Sequence, residues 1–167
     1  MAGKGGKGGK KGGKAGQSDG TKLIAGNRRA GQLYHLGERF EAGIVLAGTE
    51  VKSAREGGVT LKDGYVRVAA EQAYLVDVHI APYSHAGYSG HEPERPRKLL
   101  LHKRELRKLQ GKLTRKGLTL VPVRMYLKNG RIKLELALAE GKKLHMKRDE
   151  KRAEAADRDA QRALSER

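Results

Sequence analysis

The chain of 167 residues has a formal net charge of +17 and an isoelectric point near 10.2. This charge predicts a polyanionic partner, either nucleic acid or an anionic membrane surface. Because the sequence has no tryptophan and no apolar run long enough to span a bilayer, nucleic acid is favoured and no membrane partner is expected. The absence of cysteine excludes disulfides and thiolate metal ligands. No apolar segment follows the basic N-terminus as it does in a secretory signal, so a cytoplasmic protein is expected.

Charge and composition divide the chain into three predicted segments. Residues 1–22 form a Gly/Lys-rich basic arm with six lysines and one acid, which we expect to be disordered. Residues 23–141 are predicted to form the folded RNA-binding domain. Residues 142–167 form a basic tail with nine Lys or Arg and six acids. The arm should add electrostatic attraction to RNA without sequence preference.

A β-hairpin is the clearest local structure in the sequence. Two alternating apolar segments, 119–127 and 131–139, flank Asn129-Gly130, and these two residue types favour the positive φ values of a tight hairpin turn. Pro122 has no amide hydrogen to donate, so it indicates an edge or a bulge in the first strand. One face of that strand is expected to carry Val121, Val123, Met125 and Leu127.

Further strands and two helices complete the predicted domain. Alternation indicates strands near residues 41–46 and over 74–80, the second after a turn near Glu71-Gln72. A short helix is predicted from Thr49 to Glu56, and a longer one begins near Leu99 and ends near Gly111 or Gly117. Its apolar face should be made of Leu99, His102, Leu106, Leu109 and Leu113. The pattern predicts a mainly β fold, a small closed antiparallel OB-like barrel with flanking helices.

The longer helix is also the most basic part of the domain. Residues 95–116 contain ten Lys or Arg and one acid, Glu105. The side chains that lie away from the leucine face are Arg104, Arg107, Lys108 and Lys112. Like charges at this spacing destabilise a helix, so their presence favours an anionic partner, RNA.

No residue pattern indicates catalysis. His85 and His91 share a loop, but no suitably spaced carboxylate completes a metal site with them. Acids such as Glu41 and Asp77 are isolated among basic residues, and no serine lies in a nucleophile motif. We therefore expect no catalytic residue, no metal and no cofactor, and a protein that is not an enzyme.

The tail has a helical pattern with a weak apolar stripe. Its alanines recur at three- and four-residue spacing, at positions 153, 156, 160 and 163, and Glu154 and Arg158 are placed for an i,i+4 ion pair. Alanine offers too little apolar area to dock firmly on a core. The tail is therefore expected to fold into a helix when it binds a polyanionic groove.

Six sequence runs, in this order along the chain, closely resemble the small protein B family, the SsrA-binding proteins. The runs are Asn27-Arg-Arg-Ala30, Phe40-Glu-Ala-Gly43, Gly48-Thr-Glu-Val-Lys-Ser53, Leu61-Lys-Asp63, Arg97-Lys-Leu-Leu-Leu-His-Lys-Arg-Glu105 and Gly141-Lys-Lys143. The resemblance covers about residues 25–152. It implies a barrel that binds the tRNA-like domain of transfer-messenger RNA (tmRNA) and acts with it in trans-translation.

The resemblance also implies the partners of the complex. The RNA is charged by alanyl-tRNA synthetase and is delivered by elongation factor Tu to a stalled 70S ribosome. The protein body then stands where an anticodon stem would lie, and the tail senses the empty mRNA channel beside the decoding centre. The nascent chain receives a tag for proteolysis.

Site residues follow from matching the family motifs and from charge. The expected RNA-binding residues are Asn27, Arg28, Arg29, Glu41, Lys52, Arg55, Arg97, Lys98, Leu100, Lys103 and Arg104. The expected ribosome-contacting tail residues are Lys142, Lys143, His145, Lys147, Arg148, Lys151 and Arg152. Glu41 can accept from a base or ribose donor and so add selectivity. Met146 departs from the family, which has an acid there, and Asp149 is a candidate substitute for it.

Two other classes of protein stay open on the sequence alone. A structural ribosomal or initiation-type OB protein would explain the charge but not the ordered set of motifs. A nuclease or RNA-modifying enzyme would need a cluster of acids or a nucleotide site, and neither is found in the sequence.

Overall fold

The computed structural model describes residues 20–87, 90–115, 117–142 and 144–165, with backbone alone for 144–150. The predicted disordered arm therefore lies almost wholly outside the described residues. The strands are β1 Thr21–Gly26, β2 Tyr34–Ile44, β3 Val59–Thr60, β4 Tyr65–Ala69, β5 Gln72–Val76, β6 His79–Ile80, β7 Arg97–Leu100, β8 Leu118–Lys128 and β9 Arg131–Gly141. The helices are α1 Arg28–Leu33, α2 Gly48–Arg55, α3 Lys103–Leu113 and α4 Leu144–Ser165.

The main sheet closes into a ring. Within the described residues its strand order is β1-β8-β4-β5-β7-β2-β9, and β9 pairs back onto β8, so six strands form the ring and β1 extends β8 at its edge. Every neighbouring pair is antiparallel. Strands β3 and β6 form a separate small sheet. The prediction of a mainly β, closed antiparallel barrel with flanking helices is confirmed.

The β8–β9 hairpin forms as predicted, with a bulge that changes its faces. Asn129 and Gly130 have φ values of 50° and 76° at the turn. The register shifts between Pro122 and Arg124, where the sequence predicted an edge or bulge. A one-residue shift moves the following side chains to the opposite face. Met125 therefore packs in the main core while Val121 packs in a second cluster, and the predicted common face of these residues is wrong.

The longer helix begins four residues later than predicted. Leu99 belongs to β7, where it pairs with Ile44 of β2 and Ala73 of β5, so tertiary pairing overrides the helical spacing. Helix α3 starts at Lys103, and the His102 amide donates to the Glu105 carboxylate at 3.1 Å. Leu106 and Leu109 are buried in the core as the apolar stripe predicted.

The predicted strand over 74–80 is divided in two. Asp77 adopts a φ of 57°, a left-handed conformation that an extended strand cannot contain. Strand β5 therefore ends at Val76 in the ring, and β6 begins at His79 in the small sheet. The turn predicted before this strand is present, with positive φ at Ala70 and Glu71.

Helix α4 is largely exposed to solvent. All its residues from 151 to 165 are exposed, including the four alanines of the predicted stripe. The Arg158 and Glu154 side chains form the expected i,i+4 pair, with 3.9 Å between nitrogen and oxygen. The helical pattern is thus present, while folding of the tail on binding stays a prediction.

Candidate nucleic-acid interface

The outer face of the ring carries the polar residues because side chains alternate along each strand. On β2, Phe40 and Ala42 are buried, and Glu41 is exposed. In register beside Glu41 lie Glu135 of β9 and Arg124 of β8. Packing of the inner face therefore fixes which side chains reach the surface.

An exposed leucine lies beside Glu41. Leu100 of β7 pairs with Gly43 of β2, and 55% of its surface is exposed. A Cβ atom on Gly43 would lie 3.3 Å from the Leu100 Cβ, so the glycine leaves room for the leucine to rest against β2. Gly43 and Leu100 line a groove of about 300 Å³, together with Val51 of α2 and Lys133 of β9. We call Glu41, Gly43, Leu100 and Lys98 the outer-face cluster.

Glu41 is held in place by two neighbours on β8. The Tyr126 hydroxyl donates to Glu41 Oε2, and Lys128 Nζ lies 3.5 Å from the same oxygen. The hydrogen bond from Tyr126 is the main cause that holds the pKa of the Glu41 carboxyl below its ordinary value. Partial burial raises this pKa, but the positive charges of Lys128 and Lys133 lower it further. Burial, followed by the bond to Glu41, raises the pKa of the Tyr126 phenol. Glu41 is therefore an ionised acceptor within a basic surface.

A row of three residues crosses the ring next to this cluster. Arg67 of β4 pairs with Tyr74 of β5, which pairs with Lys98 of β7. Arg67 and Tyr74 were missed at the sequence level, because the sequence does not reveal that β4, β5 and β7 are neighbours. The alternation of apolar residues on either side of the Ala70-Glu71 turn was the signal that could have found them.

The basic face of α3 is partly neutralised by acids from elsewhere in the fold. Lys108 and Lys112 both bind the Glu38 carboxylate, and Arg107 lies 3.4 Å from Glu71. The scarcity of acids near this helix in the sequence was therefore misleading. Lys103 and Arg104, the two α3 residues among the predicted RNA contacts, are exposed, and neither forms an ion pair within the described part of the chain.

Arg97 does not reach the surface. It is fully buried, and its Nε donates to Glu50 Oε1 at 2.8 Å. Burial alone would raise the pKa of the Glu50 carboxyl, but hydrogen bonds from Arg95, the Ala47 amide and Arg97 outweigh it and lower that pKa. The expected direct RNA contact of Arg97 is therefore replaced by an internal ion pair. Lys52, beyond Glu50 on α2, is exposed, as is Arg55.

Asn27 also has a structural role. Its side chain accepts a hydrogen bond from the Ala30 amide at 3.1 Å and caps α1. Its amide nitrogen donates to the carbonyls of Leu61 at 3.2 Å and Pro122 at 2.9 Å. Asn27 is largely buried by these contacts and helps to position α1, while its expected contact with RNA stays a prediction. Next to it, Arg28 is exposed.

Glu41 and the base of the tail lie at different ends of β2. Helix α1 packs beside Tyr34 at the start of β2, and Glu41 lies seven residues further, roughly 20 Å along the strand. Arg29, which is 3.3 Å from Asp63, lines a groove of about 280 Å³ with Lys142 and Lys151 of the tail. The start of α1 follows Gly26 of β1, which is in register with Glu41 through Arg124 and Glu135, so Arg28 and Arg29 stay predicted RNA contacts.

The tail residues are only partly described. Lys142 follows β9, and its amide donates to the Leu33 carbonyl at 3.0 Å. Lys151 and Arg152 are exposed on α4. The predictions for Lys143 and for the side chains of His145, Lys147 and Arg148, and the questions of Met146 and Asp149, lie outside the described residues.

The described residues offer neither a metal site nor a membrane-spanning helix. Within the described ranges, no three His, Asp or Glu side chains lie together in a way that could hold a metal ion. None of the helices in those ranges has the length and apolarity to cross a membrane.

Known proteins are similar to this chain in sequence and in fold. A family model described as "SmpB protein" matches residues 24–166. The SsrA-binding protein of Solidesulfovibrio magneticus is 54% identical over 149 residues, which cover 89% of this chain and 97% of that protein. The SsrA-binding protein of Nostoc punctiforme is 52% identical over 149 residues, covering 89% and 96% respectively.

A solved structure is similar to most of this chain. It is described as "tmRNA-SmpB: a journey to the center of the bacterial ribosome". The matching chain is 49% identical in sequence, with a TM-score of 0.62. The match covers 72% of this chain and 85% of that chain.

Replacing Tyr126 by Phe tests the electrostatic state of Glu41. The variant removes the hydroxyl donor, so the Glu41 pKa should rise towards its ordinary value of 4.5. Because the folded-state pKa is lowered, the bond stabilises the fold above the ordinary pKa and the effect is lost as the pH falls through the folded-state pKa. Carbon NMR titration of the carboxyl group measures the shift. Tyr65→Phe on β4 is the control, and an unchanged Glu41 pKa in Tyr126→Phe would contradict the assignment.

Proposed function

This chain belongs to the SmpB family, and on that premise we propose that it binds the tRNA-like domain of tmRNA and helps to deliver this RNA to stalled ribosomes for trans-translation. The observation that carries the proposal is the outer-face cluster, which sets an acid, an exposed leucine and a lysine on the adjacent strands β2 and β7. The 49% identity to a chain solved in a tmRNA–SmpB structure supports the same partner.

The outer-face cluster can recognise a folded RNA by more than charge. Lys98, Arg104, Lys52 and Arg55 contact phosphates and supply affinity that depends on salt. Glu41 accepts from a base or ribose donor through its Oε1 atom, since Tyr126 and Lys128 both contact Oε2. Leu100 packs against an exposed base or sugar. Acceptor and apolar contacts of this kind give selectivity that a purely basic surface lacks.

The tail provides the second part of the activity. Helix α4 is basic at its base and is exposed from residue 151 onwards, so it is free to enter a groove lined by RNA. We assign Lys142, Lys143, His145, Lys147, Arg148, Lys151 and Arg152 to the decoding centre and the empty mRNA channel of the stalled 70S ribosome. Arg29 of α1 lies beside the base of the tail, and we assign Arg28 and Arg29 to further contacts with RNA.

The remaining partners act through the RNA. Alanyl-tRNA synthetase charges the tRNA-like domain, and elongation factor Tu carries the charged complex to the ribosome. The protein needs no catalytic residue for this work, because it positions an RNA whose chemistry is performed by others. Ribosomes work in the cytoplasm, and the proposal places the protein there.

Reversing the charges of Lys98 and Arg104 together tests the RNA-binding face. In the variant Lys98→Glu, Arg104→Glu, affinity for the tRNA-like domain should fall. The slope of log affinity against log salt should decrease in magnitude by about 2, because about one counterion is released for each phosphate contact. Titration of labelled RNA at several salt concentrations measures both quantities.

The matched control applies the same change of charge elsewhere. Arg158→Glu, Arg162→Glu alters two exposed arginines near the end of α4. Its salt slope for the isolated tRNA-like domain should stay near that of the wild type. If both double variants lower the slope equally, net charge alone determines binding and the outer-face cluster is not the RNA site.

Truncating the chain after Lys143 tests the division between barrel and tail. The barrel remains complete, so binding to the tRNA-like domain should be close to normal. Tagging of a nascent chain stalled on an mRNA without a stop codon should be abolished, because the part that enters the mRNA channel is missing. A reconstituted translation system measures tagging, with the full-length chain as control. Equal loss of binding and tagging would contradict this division of labour.

A further inference from the structure

Helix α2 carries two of the proposed RNA contacts and is weakly anchored by apolar packing. Its buried residues are Glu50, Ser53 and Ala54, and the only fully apolar side chain among these three is that of alanine. Burial of one alanine contributes little compared with burial of a leucine or valine. The position of α2, and of Lys52 and Arg55 on it, therefore depends on polar contacts.

The central contact of α2 is the fully buried Glu50 carboxylate, which receives four hydrogen bonds. Arg95 donates from Nε to Oε1 at 2.8 Å and from a terminal nitrogen to Oε2 at 2.6 Å. Arg97 donates from Nε to Oε1 at 2.8 Å, and the Ala47 amide donates to Oε2 at 2.9 Å. Both oxygens are thus engaged twice, which fixes the carboxylate in distance and in angle.

Arg97 extends this network to two further segments. Its remaining nitrogens donate to the carbonyl of Val78 at 2.8 Å and to that of Pro93 at 2.9 Å. Arg97 is also the first residue of β7, directly before Lys98 and three residues before Leu100. The Glu50–Arg97 pair therefore joins the helix with Lys52 to the strand with Lys98.

We propose that Glu50 is a positioning residue for RNA recognition, holding Lys52 and Arg55 at a fixed place relative to Lys98 and Leu100; this inference rests on the proposed function. A buried ion pair is a weak source of net stability, because removing both charges from water offsets much of their attraction. Its hydrogen bonds are directional, however, and apolar packing is not. Here they set the spacing of phosphate contacts on two separate elements. Glu50 itself is buried and does not touch the RNA.

The test measures the coupling between Glu50 and Lys52. In the wild type, Lys52→Ala should reduce the magnitude of the slope of log affinity against log salt by about 1, measured with a transcript of the tRNA-like domain. Glu50→Gln keeps the size of the side chain but removes the charge that Arg95 and Arg97 bind. Glu50→Gln alone should reduce the magnitude of the slope by about 2, because Lys52 and Arg55 both move away from the phosphates that they contact. Adding Lys52→Ala to Glu50→Gln should then cause no further change.

A purely stabilising role gives a different result. Folded Glu50→Gln would keep the wild-type slope, and Lys52→Ala would lower that slope by the same amount in both backgrounds, which would overturn the inference. It is equally overturned if Lys52→Ala leaves the wild-type slope unchanged. Val66→Ala, a core change on β4, is the control for lost stability and should keep the wild-type slope.

A second variant covers the case in which Glu50→Gln does not fold. Arg95 is about one third exposed, and Arg95→Gln removes two of the four bonds while leaving the pair between Glu50 and Arg97 intact. It should also lower the slope and reduce the effect of Lys52→Ala, and independent effects of the two changes would contradict the inference. Failure of the proposed function is a separate outcome, since the wild type alone would then bind the tRNA-like domain no better than elongator tRNA.

Discussion

The pairing of β8 with β9 closes the barrel, and the other features of the molecule depend on this closure. Strand β8 pairs with β9 from Leu118 to Lys128, and the other edge of β9 pairs with β2. In a closed ring every strand has one face in the core, so alternate side chains must be apolar. The residues between them are forced outwards, and this is how Glu41 and Lys133 come to share one surface, with the buried Tyr126 bound to Glu41. The outer-face cluster is a consequence of packing the inner face.

The length of β2 separates the two parts of the proposed activity. Glu41 lies near one end of this strand, while α1 and the base of the tail lie beside Tyr34 at the other. A barrel that binds a tRNA-like RNA near Glu41 can thus present helix α4 from the other end of β2. Helix α4 leaves the barrel with all its described side chains in solvent, and a binding partner is what would bury them.

Local signals predicted much of the fold, and contacts between distant residues account for what they missed. The turn at Asn129-Gly130 and helix α2 were found because neighbouring residues determine them. Leu99 was assigned to a helix because its partners in β2 and β5 are remote in sequence. Arg97 was taken for an RNA contact because its partner Glu50 lies 47 residues away. The sequence therefore predicted that this region is rich in basic residues, but not which of them, such as Arg97, are buried.

The most direct test of the account is competitive binding of the tRNA-like domain of tmRNA against elongator tRNA, near physiological salt. Both RNAs present similar phosphate backbones, so electrostatic attraction alone cannot separate them. We expect a strong preference for the tRNA-like domain, because the proposed contacts of Glu41 and Leu100 depend on the shape and the bases of the RNA. Equal binding of the two RNAs would contradict it.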